Sequence, residues 1–326
     1  MKIPYLVKDL VKESGAVTQY YTVSNWYQKT YNSMLLRLSP VSFAKRRYKS
    51  AYGQNPDFKN PVLFAEKLQW LMLFWRHPLK TQCADKYTMR SYVQQLGWGH
   101  ILPEILGVYE NSNEINFSSL PDKFVLKCTH GCGFNILCEN KAEFDINEAK
   151  NKLDLWMATD YSKIAGEIHY AEMKPRIICE QFLKDRDKEM PVDYKLYCFD
   201  GKVHCTLIVQ GRSLEKHIPF YDFYDREWKT NLLYSKSSIK DNRVVPKPEA
   251  YNEMVAAAEA LSKPFPFVRM DFYDINGKAV LGEMTFTPSG CLSRGHTESA
   301  QKHLGDLFIL PPRISSSICN INKYKV

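Results

Sequence analysis

The sequence predicts a mixed α+β protein (α/β mixed) built on antiparallel sheets, and three observations predict it. Two turn signals, Asp200-Gly201 and Asn276-Gly277, each sit between β-patterned runs, the arrangement that makes a hairpin. Apolar residues recur at helical spacing in Leu63, Phe64, Leu68, Leu71, Met72 and Trp75. Helical and hairpin segments alternate irregularly, and the glycine-bearing turn HGCGFN is neither the dinucleotide-binding nor the Walker pattern.

Each element follows from local chemistry. Residues 1–50 read as one or two helices, with apolar spacing around Tyr5-Leu6-Leu10-Val11 and Met34-Leu35-Leu38. Asn55-Pro56 and Asn60-Pro61 mark turns, and the next helix runs from Leu63 to Trp75. A further helix covers Ala84 to Leu96 and stops before Gly97. Phe124 to Cys128 is a short strand ended by the turn His130-Gly131-Cys132-Gly133. In that strand Val125 and Lys127 share one face, while Phe124, Leu126 and Cys128 share the other. A helix over 146–159, a strand from Arg176 to Leu183 and a charged loop from Lys184 to Pro191 follow. A hairpin over 193–209, an Ala-rich helix over 250–262 and a hairpin over 267–286 complete the body.

Composition narrows the function classes. The chain has 326 residues, 44% hydrophobic and 25% charged, enough for a large core and two or three lobes. An aromatic content of 13% argues against disorder. No run of about 18 apolar residues is present, and the amino terminus lacks a signal-peptide pattern, so a cytoplasmic protein with reduced thiols is expected. Of nine cysteines, Cys128, Cys132 and Cys138 cluster with His130, but ligands so close along a strand and tight turn converge poorly on a tetrahedral zinc. The net charge of +8 is concentrated in residues 1–50, which hold nine basic side chains against Asp9 and Glu13. The nearly neutral body disfavours nucleic acid as a partner. The basic head is a solvated extension or a surface for the inner membrane face or an anionic polysaccharide.

Three lysines stand in strand or turn contexts: Lys86 after Asp85, Lys127 before the glycine turn, and Lys195 in the strand DYKLYCF. Polyphosphate binding needs such cations converging from separate elements, together with backbone N–H groups freed by glycine. The hairpin FVRMDFYDINGKAVLGEMT adds Arg269 and Asp271 on one strand, with Glu283 and Thr285 on the return strand. A strict two-residue Asn276-Gly277 loop pairs Asp271 with Gly282 and turns Glu283 away. A three-residue loop with Gly277 in a left-handed bulge pairs Asp274 with Lys278 and sets Arg269 opposite Glu283; this register is the one expected. Carboxylates gathered on one buried face call for a metal or phosphate, and Mg²⁺ takes one or two carboxylates plus nucleotide phosphates. The competing reading is an Arg269–Glu283 ion pair with Asp271 exposed.

At these residues the sequence resembles the ATP-grasp superfamily, and more closely its teichuronopeptide-biosynthesis-like (TupA-like) family. The resemblance covers about Gly53 to Pro311 and rests on NPVLFAEKLQW, ADKYTMR, LPDKFVLKCTHGCG, KPRIICEQFL, DYKLYCFDGK and FPFVRMDFYDINGKAVLGEMTFTPSG in that order. It implies an ATP-grasp fold holding ATP between two α+β subdomains. The implied division is a basic helical extension at 1–52, a lobe at 53–120, a central subdomain at 121–185, a carboxy-terminal subdomain at 186–312 and a tail at 313–326. The resemblance implies that Lys86, Lys127 and Lys195 bind nucleotide phosphates and that His130, Gly131 and Gly133 belong to the closing glycine loop. It further implies that Glu180, Gln181, Phe182 and Leu183 read adenine, that Asp193 or Glu189 meets the ribose, and that Arg269 steadies an acyl phosphate. Asp271 and Glu283 match the Mg²⁺ ligands. Thr285 stands where many relatives have Asn, so its hydroxyl ligates a second ion less strongly or binds a water.

The implied activity is an ATP- and Mg²⁺-dependent carboxylate–amine ligase of surface-polysaccharide synthesis, joining a uronic acid to an amino acid or amino alcohol. Arg212, His217, Arg294 and His296 fall in the acceptor regions. The rival reading is a glycosyltransferase using Asp185-Arg186-Asp187 as its metal motif, or a sugar kinase using the same ATP site.

Overall fold

A computed structural model describes residues 31–185, 191–210, 220–236 and 245–314. The chain divides into two units after Asn55. In the first, residues 31–38 are helical and Ser39 opens helix α1 (Pro40–Tyr52). The Ser39 hydroxyl accepts from the Ser42 amide and Gly53, at φ 79°, closes the helix. The remainder of the basic head, residues 1–30, lies outside the described residues, as do Arg186, Asp187, Glu189, Arg212 and His217.

The second unit begins with α2 (Phe64–Phe74), whose start is fixed by Glu66 accepting the Val62 and Leu63 amides, each at 3.1 Å. Helix α4 (Met89–Gln95) begins later than the expected helix from Ala84 to Leu96, and a separate helix, α3 (Pro78–Ala84), precedes it. The correction has a local cause. Asp85 Oδ1 accepts from the Tyr87 and Thr88 amides at 2.7 and 2.8 Å, so the chain turns and restarts. Lys86 consequently sits in the break rather than in a helix.

The first sheet has the order β1-β4-β2-β3, from β1 (Ile105–Tyr109), β2 (Phe124–Cys128), β3 (Asn135–Cys138) and β4 (Ile177–Gln181), all antiparallel. Strand β2 buries Phe124, Leu126 and Cys128 in a core with Leu153 of α5 (Ile146–Met157), as the alternation predicts. Val125 and Lys127 are left on the opposite face. A short helix, α6 (Ser162–Ala165), precedes β4. The sequence reading did not anticipate β1 or β3.

The second sheet has the order β10-β9-β5-β6-β7-β8, again antiparallel. Its strands are β5 (Asp193–Phe199), β6 (Lys202–Gln210), β7 (Phe220–Asp225), β8 (Asn231–Leu232), β9 (Phe267–Ile275) and β10 (Lys278–Thr285). Helix α7 (Tyr251–Ser262) packs on β5, β6, β9 and β10, and the Thr206 and Tyr251 hydroxyls meet at 2.9 Å. Strand β5 is buried on both faces, because α7 covers one and the other lines a cavity. The carboxy-terminal helix α8 (Glu298–Asp306) packs against α2, where Gln301 Oε1 accepts the Ala65 amide at 3.0 Å.

Both expected hairpins form, but the register of the second corrects the expected one. Ile275 pairs with Lys278, so the loop is the two-residue Asn276-Gly277, with φ of 54° and 80°. This is the twist-matched geometry that favours Asn-Gly. The extra residue lies further along: Leu281 faces Phe272 and Glu283 faces Asp271, so Gly282 bulges out. That bulge turns Glu283 back to the face of Asp271. A Cβ on Gly282 would come within 3.0 Å of the Tyr273 ring. Arg269 faces Thr285, not Glu283.

Candidate functional site

Residues of both sheets line one cavity of about 960 Å³. From the first sheet come Val125, Lys127, Glu180 and the strand exit Gln181, Phe182 and Leu183; from the second come Asp193, Lys195, Tyr197, Arg269, Asp271 and Glu283. Lys86 and Gly133 complete this part of the lining. Thus the two-residue periodicity of β2, β5, β9 and β10, together with the Gly282 bulge, gathers charges that are widely separated in sequence.

Asp271, 3% exposed, is held on both oxygens. Arg269 donates to it bidentately at 2.6 Å through Nε and Nη2, and Lys195 Nζ donates to Oδ2 at 2.6 Å. The Arg269–Glu283 pair with an exposed Asp271 is therefore not the arrangement found. Burial works against the Arg269 charge, yet Asp271 beside it drives its pKa well above the usual guanidinium value. For Asp271, burial prevails and raises the carboxyl against the pull of Arg269 and Lys195, with the Glu283 charge adding to the rise. Lys195 also lies 3.5 Å from Asp193.

Glu283 is more loosely held. Arg269 Nη2 stands 3.7 Å away and Lys86 Nζ 3.9 Å, while the Thr285 hydroxyl donates to Oε1 at 3.0 Å. Burial opposes its charge, but Lys86, Lys195, Arg269 and that hydroxyl together pull its carboxyl down to about 2. A carboxyl depressed on folding adds stability above its unfolded value and loses it as pH falls towards the folded one. Urea unfolding from about pH 5 down to about pH 2 should therefore show a shallower loss of stability in Glu283→Gln than in wild type. Equal slopes would remove this role.

The sheet roof carries a second charged group. Glu180, 4% exposed, accepts from Lys127 Nζ at 2.6 Å and lies 3.6 Å from Arg90 Nη1. Lys86 Nζ donates to the Gly131 carbonyl at 2.6 Å, tying the break between α3 and α4 to the glycine turn. The cluster holds five cations (Lys86, Arg90, Lys127, Lys195, Arg269) against four carboxylates (Glu180, Asp193, Asp271, Glu283), so it remains positive and suits a polyanion.

Three expected contacts stand back from the cavity. The buried His130 ring meets the Trp156 carbonyl from Nε2 at 3.1 Å, with Phe134 stacked on Trp156. Gly131 offers its carbonyl to Lys86, and a Cβ there would meet the Phe134 and Tyr161 rings at 2.8 Å. Thr285 serves its neighbours, accepting from Arg269 Nη2 at 3.3 Å. Cys128 and Cys138 pack into the first-sheet core, whereas Cys132 is exposed at the turn, so these thiols do not converge. Asp185 is spent structurally: its Oδ1 accepts the Asn276 amide at 3.3 Å, which occupies one member of the rival metal motif.

Arg294 and His296 do line the cavity, on a wall with Ser235, Lys236, Ser289 and Ser293. Burial lowers the His296 ring to about 4, with Arg269 and Lys236 adding to the fall against a Ser293 backbone contact, so it is neutral at pH 7. Behind this wall the Thr287 hydroxyl donates to buried Glu167, and the backbone runs through left-handed φ at Ser289, Gly290 and Cys291. Sequence reading missed Arg90, Glu167 and Lys236. Arg90 lies within the segment ADKYTMR, a signal that was present; the other two belong to no recognisable pattern.

A family model described as TupA-like ATPgrasp matches residues 66–309, about three quarters of the chain. Among solved structures, D-alanine–D-alanine ligase from Bacillus anthracis complexed with ATP is 15% identical, with 74% of this chain and 66% of that chain covered and a TM-score of 0.42. The D-cycloserine synthetase DcsG is 15% identical over 71% and 70% of the two chains, with a TM-score of 0.38. The ATP-grasp ligase PsnB complexed with minimal precursor is 13% identical over 64% and 54%, with a TM-score of 0.35. The chain thus spans just under two thirds of the length of the first of these and about half of PsnB. None of the curated proteins compared matches it.

Proposed function

The chain belongs to the TupA-like ATP-grasp family, and from that premise we propose that it is an ATP- and Mg²⁺-dependent carboxylate–amine ligase working through an acyl phosphate. The observation that carries this reading is the meeting of Asp271 and Glu283 across β9 and β10 inside a ring of cations contributed by both sheets.

The donor set fits Mg²⁺, which takes one or two carboxylates beside phosphate oxygens; Asp271 and Glu283 would hold it, with the Thr285 hydroxyl alongside. Phosphate oxygens and waters would complete the shell. When bound, the ion neutralises charge on the phosphoryl oxygens.

The chain's own residues do the rest. Lys86, Lys127 and Lys195 bind phosphate oxygens and spread the charge that builds during transfer. Glu180 and the backbone of Gln181 to Leu183 orient the base, and Asp193 faces the ribose. A substrate carboxylate oxygen bonds to the γ-phosphorus as the bond to ADP breaks. Arg269 exchanges Asp271 for the acyl phosphate and holds it. An amine nitrogen then bonds to the acyl carbon, phosphate leaves, and the nitrogen gives up a proton. Closure of the turn His130–Gly133 excludes water, which otherwise hydrolyses the intermediate.

The carboxylate in this reading belongs to a uronic acid and the amine to an amino acid or amino alcohol, in the synthesis of a surface polysaccharide. The basic residues of the first 50 positions would then meet an anionic polymer or the inner membrane face. No helix among the described residues is long and apolar enough to cross a membrane.

The test is nucleotide turnover with uronic acids and a panel of amines. ADP release that requires both a carboxylate and an amine is expected. Release of UDP or GDP from a sugar nucleotide with ATP untouched, or phosphate on a sugar hydroxyl, would overturn it.

A further inference from the structure

Beyond the cluster around Asp271, the cavity has a basic wall that no described carboxylate pairs with. The segments 234–236 and 295–297 run side by side: the Lys236 amide donates to the Gly295 carbonyl and the Thr297 amide to the Tyr234 carbonyl, both at 2.8 Å, bridging Ser235 to His296. Lys236 and Arg294 therefore sit on neighbouring backbone runs, and both line the cavity. Like charges in such positions repel each other.

Neither side chain makes an ion pair with a described residue. Among the described residues the carboxylates that line the cavity are Glu180, Asp193, Asp271 and Glu283, and each of these lies within ion-pair distance of a cation of the inner cluster. Ser289 and Ser293 line the same cavity and add hydroxyls to it. The wall also adjoins the reacting end. Buried His296 feels the charges of both Arg269 and Lys236, and it is itself uncharged. At about 960 Å³ the cavity is at the upper end of small-molecule sites, leaving space beside a nucleotide.

We propose that Lys236 and Arg294 form a second anion subsite, which binds an acidic group of the carboxylate substrate other than the carboxylate that reacts. The substrate is accordingly at least a dianion, with one carboxylate at Arg269 and a further carboxylate or phosphate at Lys236 and Arg294. Arg294 supplies a planar fork and Lys236 a point charge, a combination that accepts either group. The inference rests on the ligase reading and narrows its substrate class.

The experiment is calorimetry on the full chain loaded with Mg·ADP, titrated with glucuronic acid, glucuronic acid 1-phosphate and digalacturonic acid. At least one of the two more highly charged probes should bind on the order of tenfold more tightly than glucuronic acid. Gain with the 1-phosphate alone identifies a phosphate, gain with the disaccharide alone a carboxylate. The paired variant Lys236→Ala with Arg294→Ala should erase the gain and leave Mg·ADP affinity unchanged, and Arg294→Glu should reverse it. Equal affinity for all three probes, or a gain that survives in the paired variant, would overturn the subsite while Mg·ADP binding upholds the nucleotide site. Failure of Mg·ADP to bind would overturn the ligase reading and the subsite with it.

Discussion

Glu283→Ala is expected to lower ATP-dependent turnover by roughly 10²–10³-fold while the protein stays folded. The carboxylate is the point on which Lys86, Arg269 and Thr285 converge, and it faces Asp271 only because Gly282 bulges. On the proposed reading the phosphate end then loses one of the two carboxylates that would hold the metal, and Lys86 loses an ion-pair partner. Folding should suffer little. The side chain is 30% exposed and its two ion pairs are 3.7 and 3.9 Å long, so solvent screening discounts what the depressed carboxyl contributes and its loss costs about 1–2 kcal/mol. Steady-state ADP release and a thermal melt measure the two effects separately. Near-normal turnover in the variant would remove Glu283 from the site.

Lys127→Ala should have a comparable effect on turnover but a larger one on stability. Lys127 is the nearest partner of Glu180, at 2.6 Å, and Arg90 at 3.6 Å is the partner that remains. A buried carboxylate deprived of its main partner destabilises by several kcal/mol when nothing compensates; with Arg90 in reach about 1–3 kcal/mol is expected. The double variant Lys127→Ala with Glu180→Gln removes the stranded charge. It should recover most of the stability, read by urea unfolding, and none of the activity. Recovery of activity together with stability would mean that Lys127 acts only as the counter-ion of Glu180.

Much of this site was legible because its charges lie on strands whose opposite faces are committed to a core. Phe124, Leu126 and Cys128 must point into that core, so Lys127 must point away from it. The same parity put Arg269 with Asp271. What parity could not supply was the register between β9 and β10. Asn276-Gly277 advertises a two-residue loop by its chemistry, whereas the bulge is marked in the sequence only by the single glycine Gly282.

The break at Asp85 was hidden for a similar reason. The Asp85 carboxylate captures the Tyr87 and Thr88 amides, and this separates α3 from α4. Lys236 gains meaning only through its pairing with the segment around Gly295, far along the chain, so no reading of its neighbours could have found it. The edge strand β1 is short and half-buried, which leaves little alternation to detect.

The decisive measurement is diffraction from crystals grown with Mn²⁺ and a non-hydrolysable ATP analogue. An anomalous peak between Asp271 and Glu283, with phosphates against Lys127, Lys195 and Lys86 and the base beside Glu180 to Leu183, is expected. A nucleotide bound elsewhere, or a metal touching neither carboxylate, would contradict the assignment of this cavity.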